Sequence, residues 1–301
     1  MSDVETGSAR SDSDPRHDAP TTVQRAPGAR LHYSEAGDGT PVILVHGSLT
    51  DARYWERSGQ VSALAPRHRV ITPSRRHNHP HAPSAPEGPY DARVDAGDLR
   101  ELMGALDLGP VHLLGHSYGG YAALLLALDA PELVRSLVLA EAPIMRWLPH
   151  IPGGEGVWED FEARVWRRLG DAFRDGGDTA GLDATAHWYF GRPYAEIDAA
   201  WQHDFRDSVH EWRALTTSAD AFPLVEFERV AALETPTLVL SGGRNSLGFN
   251  DLIDVRLHEL LPNASRVVIP DASHEMFLDA GPLVARTLAA FFAEHDATEP
   301  T

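Results

Sequence analysis

Two amino acids are missing from this 301-residue chain: it contains no cysteine, and all 26 of its Lys-plus-Arg residues are arginine. The lack of cysteine excludes disulfides, thiolate nucleophiles and thiolate-bound metals, and by itself assigns no redox compartment. The arginines are scattered, which reads as a bias of composition and not as a binding surface. Positive charge is scarce as well, since 44 acidic residues against 26 basic ones leave a formal net charge of −18. Nucleic acid and anionic membranes are therefore not expected partners, because phosphate binding needs concentrated Arg or Lys. No run of about 18 apolar residues occurs, so no transmembrane helix is expected. The opening MSDVETGSARSDSDPRHDAP lacks the apolar stretch of a secretory signal. Residues 1–20 read as a disordered polar tail, and a soluble, cytoplasmic protein is the expectation.

What is present has a clear rhythm. Val42–Val45, Val111–Leu114, Leu137–Leu139 and Leu238–Leu240 are short apolar runs of the kind that strands covered on both faces display. Arg69–Thr72 and Arg266–Ile269 are weaker candidates. Between them lie helical patterns over Asp91–Leu106, Tyr121–Leu128, Asp251–Leu261 and Leu283–His295; in the last, Leu283, Val284, Leu288, Phe291 and Phe292 share a face. Alternating strand and helix predicts a mostly parallel sheet wrapped by helices, an α/β fold. From about Pro143 to Val230 the strand signal stops. That stretch holds Trp147, Trp158, Trp166, Trp188, Trp201 and Trp212, and reads as a helical subdomain whose aromatics fill a core or line an apolar pocket. The expected division is a core of residues 21–142 and 231–301 with a Trp-rich helical cap at 143–230.

The strongest chemical signal is Gly115-His116-Ser117-Tyr118-Gly119, which joins an apolar run directly to a helical one. A strand-to-helix turn that sharp leaves no room for bulk two residues either side of the serine. It lifts the hydroxyl to the sheet's carboxyl edge, with helix N–H groups behind it. Here, and in Val42-Ile43-Leu44-Val45-His46-Gly47-Ser48 and Ile269-Pro270-Asp271-Ala272-Ser273-His274, the chain resembles the α/β-hydrolase superfamily from about Leu31 to Phe292. The resemblance implies a doubly wound sheet with a helical cap, Ser117 as nucleophile and His274 as its general base. It also implies an oxyanion hole built from the N–H groups of Ser48 and Tyr118.

In that superfamily the acid that orients the histidine commonly sits in a Gly-x-x-Asp turn, beyond the strand that here is Thr237–Ser241. Counting from Gly242 puts Asn245 there, and an amide cannot stabilise an imidazolium as a carboxylate does. Glu141, at the end of Leu137-Val138-Leu139-Ala140, is the expected replacement, since some members carry the acid at this other strand. A carboxylate ending a buried strand also needs a partner; Asp251 and Asp254 are the next candidates. His46, Arg75, Arg76, Trp147 and Trp188 are the candidate substrate-binding residues, with the arginines able to meet either a substrate carboxylate or one of the protein's own. His46 and His116 also read as braces within their motifs. His77, His79 and His81 can share a face in extended chain, but the Pro-rich, Arg-flanked loop argues against a metal, and no cofactor is expected.

The activity so implied is hydrolysis of a carboxylic ester, lactone or thioester of a small apolar or aromatic substrate through an acyl-enzyme. The same serine constellation serves carbon–carbon bond hydrolysis and perhydrolysis, whereas dehalogenase and epoxide hydrolase chemistry uses an elbow aspartate. A ligand-binding or receptor protein with little turnover, and an acyltransferase, are the alternatives.

Overall fold

The computed structural model describes residues 24–25, 27, 30–81 and 90–296, so the polar tail expected at residues 1–20 lies outside the described residues. Eight strands form a single sheet: β1 (Gln24–Arg25), β2 (His32–Ala36), β3 (Thr40–Val45), β4 (His68–Ser74), β5 (Val111–His116), β6 (Val134–Ala140), β7 (Thr237–Gly242) and β8 (Ala264–Ile269). Their order is β1-β2-β4-β3-β5-β6-β7-β8. Pairing is parallel from β4 through β8 and antiparallel where β2 meets β1 and β4.

Successive side chains of a strand point to opposite faces, and the sheet uses both. Ile43, Val45, Leu113, Leu137, Leu139 and Val239 enter one core cluster; Val42, Leu44, Leu114, Val138, Leu238 and Leu240 enter the other. Both faces are therefore covered, which is why these strands read as unbroken apolar runs. β8 is half-exposed at the sheet edge, and its run is correspondingly weaker.

Helices α1 (Arg53–Arg57) and α2 (Gln60–Leu64) follow β3, α3 (Ala92–Ala105) follows β4, and α4 (Tyr118–Asp129) follows β5. Asp91 caps α3 by accepting from the Arg93 N–H at 2.8 Å. α4 is apolar on every side and buried almost throughout. Between β6 and β7 lie α5 (Glu155–Phe161), α6 (Arg167–Phe190), α7 (Ala199–Asp207), α8 (Val209–Thr216) and α9 (Phe227–Ala231), with no strand among them. A π-helical turn, Glu162–Trp166, joins α5 to α6. α10 (Asn250–Leu260) follows β7, and α11 (Met276–Asp279) and α12 (Gly281–Asp296) follow β8. No helix among the described residues is long and apolar enough to cross a membrane.

Candidate active site

Ser117 stands between β5 and α4 at φ 52°, ψ −125°. A serine in that region is strained by roughly 1–3 kcal/mol and persists only where its surroundings hold it. Its N–H donates to the Ala140 carbonyl at 2.8 Å, and its own carbonyl accepts from Gly120 at 2.8 Å and Tyr121 at 3.1 Å. The flanking glycines are steric necessities: a Cβ on Gly115 would lie 2.4 Å from the Gly119 carbonyl oxygen, and one on Gly119 would lie 2.3 Å from that of His46. The turn after β3 is thus pressed directly against the elbow.

His274 lies in the loop between β8 and α11, fixed by its N–H donating to Ser246 Oγ at 2.9 Å and its carbonyl accepting from His116 Nε2 at 2.9 Å. Its Nδ1 lies 2.5 Å from Glu141 Oε2. Glu141, at φ 48° just past β6, is almost wholly buried. The Gly242 N–H donates to Oε1 at 2.7 Å and the Asn250 side-chain amide donates to Oε2. A carboxylate so surrounded accepts; therefore Nδ1 carries the proton and Nε2 keeps its lone pair. Burial alone would lower the His274 pKa, but the hydrogen bond and charge of Glu141 outweigh it and the net shift is upward.

Asn245 faces away from this pair. Its Oδ1 accepts from the Asp251 N–H at 3.4 Å, at the start of α10. Asp251 is itself engaged by Arg266, and Asp254 accepts from Ser241 Oγ at 2.8 Å. Burial, followed by the charge of Glu141, raises the Asp254 pKa well above the usual carboxylate range. Neither aspartate reaches the imidazole.

Ser117, His274, Glu141, Ser48, Tyr118 and Trp188 all line one cavity of about 660 Å³, its open mouth included. The rest of its wall is largely aromatic: Phe161, Trp166, Tyr189, Trp201, Phe205, Trp212 and Phe222 from the 143–230 segment, with Phe249. The remaining expected substrate contacts are corrected, since none of them borders this cavity. Trp147 is core, its Nε1 donating to the Val225 carbonyl at 2.6 Å and its ring on Phe227. Both arginines face the protein's own carboxylates: Arg76 pairs with Asp98, and the completely buried Arg75 with Asp95 and Glu211. His46 is buried beneath the turn, accepting from the Arg75 N–H through Nε2 at 2.9 Å and donating through Nδ1 to the Gly47 carbonyl at 2.8 Å. Burial, then the charge of Arg75, pushes its pKa down to about 3, so it stays neutral.

Among the described residues, one group of side chains is spaced for a metal ion: His68, His112 and Asp296. It sits at the starts of β4 and β5, the opposite end of the sheet from Ser117, and each Asp296 oxygen already meets one imidazole, at 3.2 and 3.0 Å. His77, His79 and His81 form no such group. Sequence reasoning missed Asn250 and Glu211, whose hydroxyl partner is Ser48 at 2.9 Å. Glu211 offered one signal, a carboxylate one turn before Leu215 on the buried face of α8; Asn250 offered none.

A model of the α/β-hydrolase fold matches residues 40–281. A soluble epoxide hydrolase from a Corynebacterium species is 30% identical over 175 residues, which are 57% of this chain and 57% of that protein. The non-heme chloroperoxidase of Kitasatospora aureofaciens is 27% identical over 268 residues, covering 84% of this chain and 92% of that one. Among solved structures, the carboxylesterase CesB from Bacillus subtilis superposes with a TM-score of 0.70 over 92% of both chains at 19% identity, a likeness of fold.

Proposed function

The chain belongs to the α/β-hydrolase fold family, and from that footing we propose that it is a serine hydrolase cleaving a carboxylic ester, lactone or thioester of an apolar substrate. Ser117 is the nucleophile, His274 the general base and Glu141 the orienting acid. The observation that carries this reading is the 2.5 Å contact of His274 Nδ1 with Glu141, made at the wall of the cavity that Ser117 also lines.

The chemistry follows from the proton inventory. With Nδ1–H committed to Glu141, Nε2 accepts the Ser117 proton as Oγ attacks the substrate carbonyl. The imidazolium so formed faces a buried anion, which stabilises it. The carbonyl oxygen becomes an oxyanion met by the Ser48 and Tyr118 N–H groups, each such donor worth roughly 3–4 kcal/mol. Collapse expels the alcohol or thiol, which takes the proton from His274. Water then repeats the sequence on the acyl-enzyme, releasing the acid and restoring Ser117. The aromatic wall, with no Arg in it among the described residues, favours an uncharged, apolar acyl or alcohol part.

A fluorophosphonate probe tests the assignment: covalent labelling at Ser117, lost in Ser117→Ala, is expected together with turnover of aryl esters. An inert serine would favour a binding protein instead. The chloroperoxidase relative motivates a second reading, in which hydrogen peroxide replaces water on the acyl-enzyme and a peracid leaves; peroxide-dependent halide oxidation in acetate buffer distinguishes it.

A further inference from the structure

The polar contacts that residues 199–216, the span of α7 and α8, make with the sheet domain gather on residues 48–57 and on Arg75. α7 and α8 carry Trp201, Phe205 and Trp212 into the cavity wall. These helices and Ser208 between them reach residues 48–57: Glu211 accepts from Ser48 Oγ at 2.9 Å, Ser208 Oγ donates to the Thr50 carbonyl at 3.2 Å, and Asp207 and Asp204 accept from Arg53 at 2.7 Å and from Arg57 Nη1 at 2.9 Å.

Glu211 differs from the others. It is completely buried, and so is Arg75, the cation that holds it from the sheet side. Arg75 also grips the turn leading to Ser48: its N–H donates to His46 Nε2 at 2.9 Å and its guanidinium reaches the His46 carbonyl at 3.5 Å. That guanidinium lies 5.1 Å from the centroid of the Tyr118 ring. The turn His46-Gly47-Ser48 is therefore braced from beneath by Arg75 and at its tip by a carboxylate from α8. Burying a carboxylate is costly, and apolar packing of the same volume is often as stable or better. Glu211 leaves its Oε2 without a hydrogen-bond partner, so packing alone gives a poor account of a glutamate here.

We propose that Glu211 is a positioning residue: by holding the Ser48 hydroxyl it sets the direction of the Ser48 N–H, and so couples the placement of α7 and α8, which wall the cavity, to the oxyanion hole. This assignment holds only if Ser117 is the nucleophile.

The test is a double-mutant cycle of Glu211→Ala and Ser48→Ala, with Glu211→Gln as the conservative variant. Aryl-ester turnover and the rate of fluorophosphonate labelling are the readouts. Glu211→Ala is expected to lower kcat by about 10- to 100-fold with KM within about threefold, as for a displaced transition-state donor. Ser48→Ala lowers kcat in the same way but no further than Glu211→Ala, and the double variant matches Glu211→Ala, which already removes the contact to Ser48 along with that to Arg75. Glu211→Gln keeps an acceptor oxygen and stays within about fivefold of wild type. The acid limb of the pH profile, set by His274, does not move in any of them. An additive cycle, or a change in KM alone, overturns the inference. Should Glu211→Ala not fold, Ser48→Ala decides, and wild-type turnover in that variant refutes the coupling. Wild-type protein that resists labelling refutes the serine-hydrolase reading and this one together; labelled wild type with an additive cycle refutes only the positioning role.

Discussion

Replacing Glu141 by Gln changes one acceptor oxygen for an NH2 donor in a place where its neighbours are themselves donors. The carboxylate accepts from the Gly242 N–H at 2.7 Å, from the Asn250 amide and from His274 Nδ1 at 2.5 Å. If the glutamine oxygen stays on Gly242, its NH2 confronts Nδ1, and the imidazole is driven to the tautomer whose proton sits on Nε2. That ring cannot accept from Ser117. If the amide turns the other way, donor meets donor at Gly242, at a cost of roughly 1–3 kcal/mol for an unsatisfied buried group. Loss of the orienting anion in the serine-protease triad costs about 10⁴-fold in rate, or roughly 5 kcal/mol of barrier. A fall of about 10³- to 10⁴-fold in kcat is accordingly expected for Glu141→Gln with an activated aryl ester, with KM little changed.

The pH profile adds an independent sign. As the proposed general base His274 works only when neutral, so the acid limb of kcat/KM should follow its pKa, which Glu141 holds above the ordinary value. In Glu141→Gln the burial that lowers this pKa persists while the forces that raise it are gone. The limb should therefore shift to lower pH as the plateau drops. Circular dichroism and Tm guard against an unfolded variant. Turnover within about tenfold of wild type, or an acid limb that stays in place, would refute the orienting role of Glu141.

The other predictions separate chemistry from packing. Asn245→Ala should change kcat by less than about threefold and stability by about 1 kcal/mol, since it loses one long hydrogen bond to the Asp251 N–H; the same ester assay and a urea melt check both. Gly119→Ala should be destabilised by roughly 3 kcal/mol or more, because the new methyl meets the His46 carbonyl oxygen at 2.3 Å, and it should be soluble poorly or not at all. Trp147→Ala should lose roughly 3–5 kcal/mol of stability while keeping KM, and Trp188→Ala, on the cavity wall, should raise KM for aryl esters with a smaller stability loss; thermal melts and steady-state kinetics on both variants tell whether the two tryptophans divide this way.

How much of this was legible beforehand depended on the range of the force involved. Ser117 could be found because its surroundings are dictated within five residues: Gly115 and Gly119 collide with backbone if they bear a side chain, and the apolar β5 and α4 flank them. The central strands were readable because burial on two faces demands continuous apolar residues. β1, β2 and the five-residue α1 and α2 were not, being short or only partly buried. At the site, Asn245 announced an absence that Glu141 could fill, yet the imidazole and its carboxylate are 133 residues apart. Only the parallel order β6-β7-β8 brings them side by side.

The 143–230 segment shows the same division. Six tryptophans between Trp147 and Trp212 marked an aromatic segment, but periodicity cannot say which ring faces a cavity and which faces a helix. Trp166, Trp188, Trp201 and Trp212 turned inward to the cavity, and Trp147 went to the core. Arg75 likewise carried no mark of its fate: a cation in a loop looks solvent-bound until two carboxylates from α3 and α8 close on it. Sterics and hydrophobic pattern act between neighbours in the chain and are written there; which charges desolvate together is settled by packing between distant elements, and the tertiary structure alone decided it.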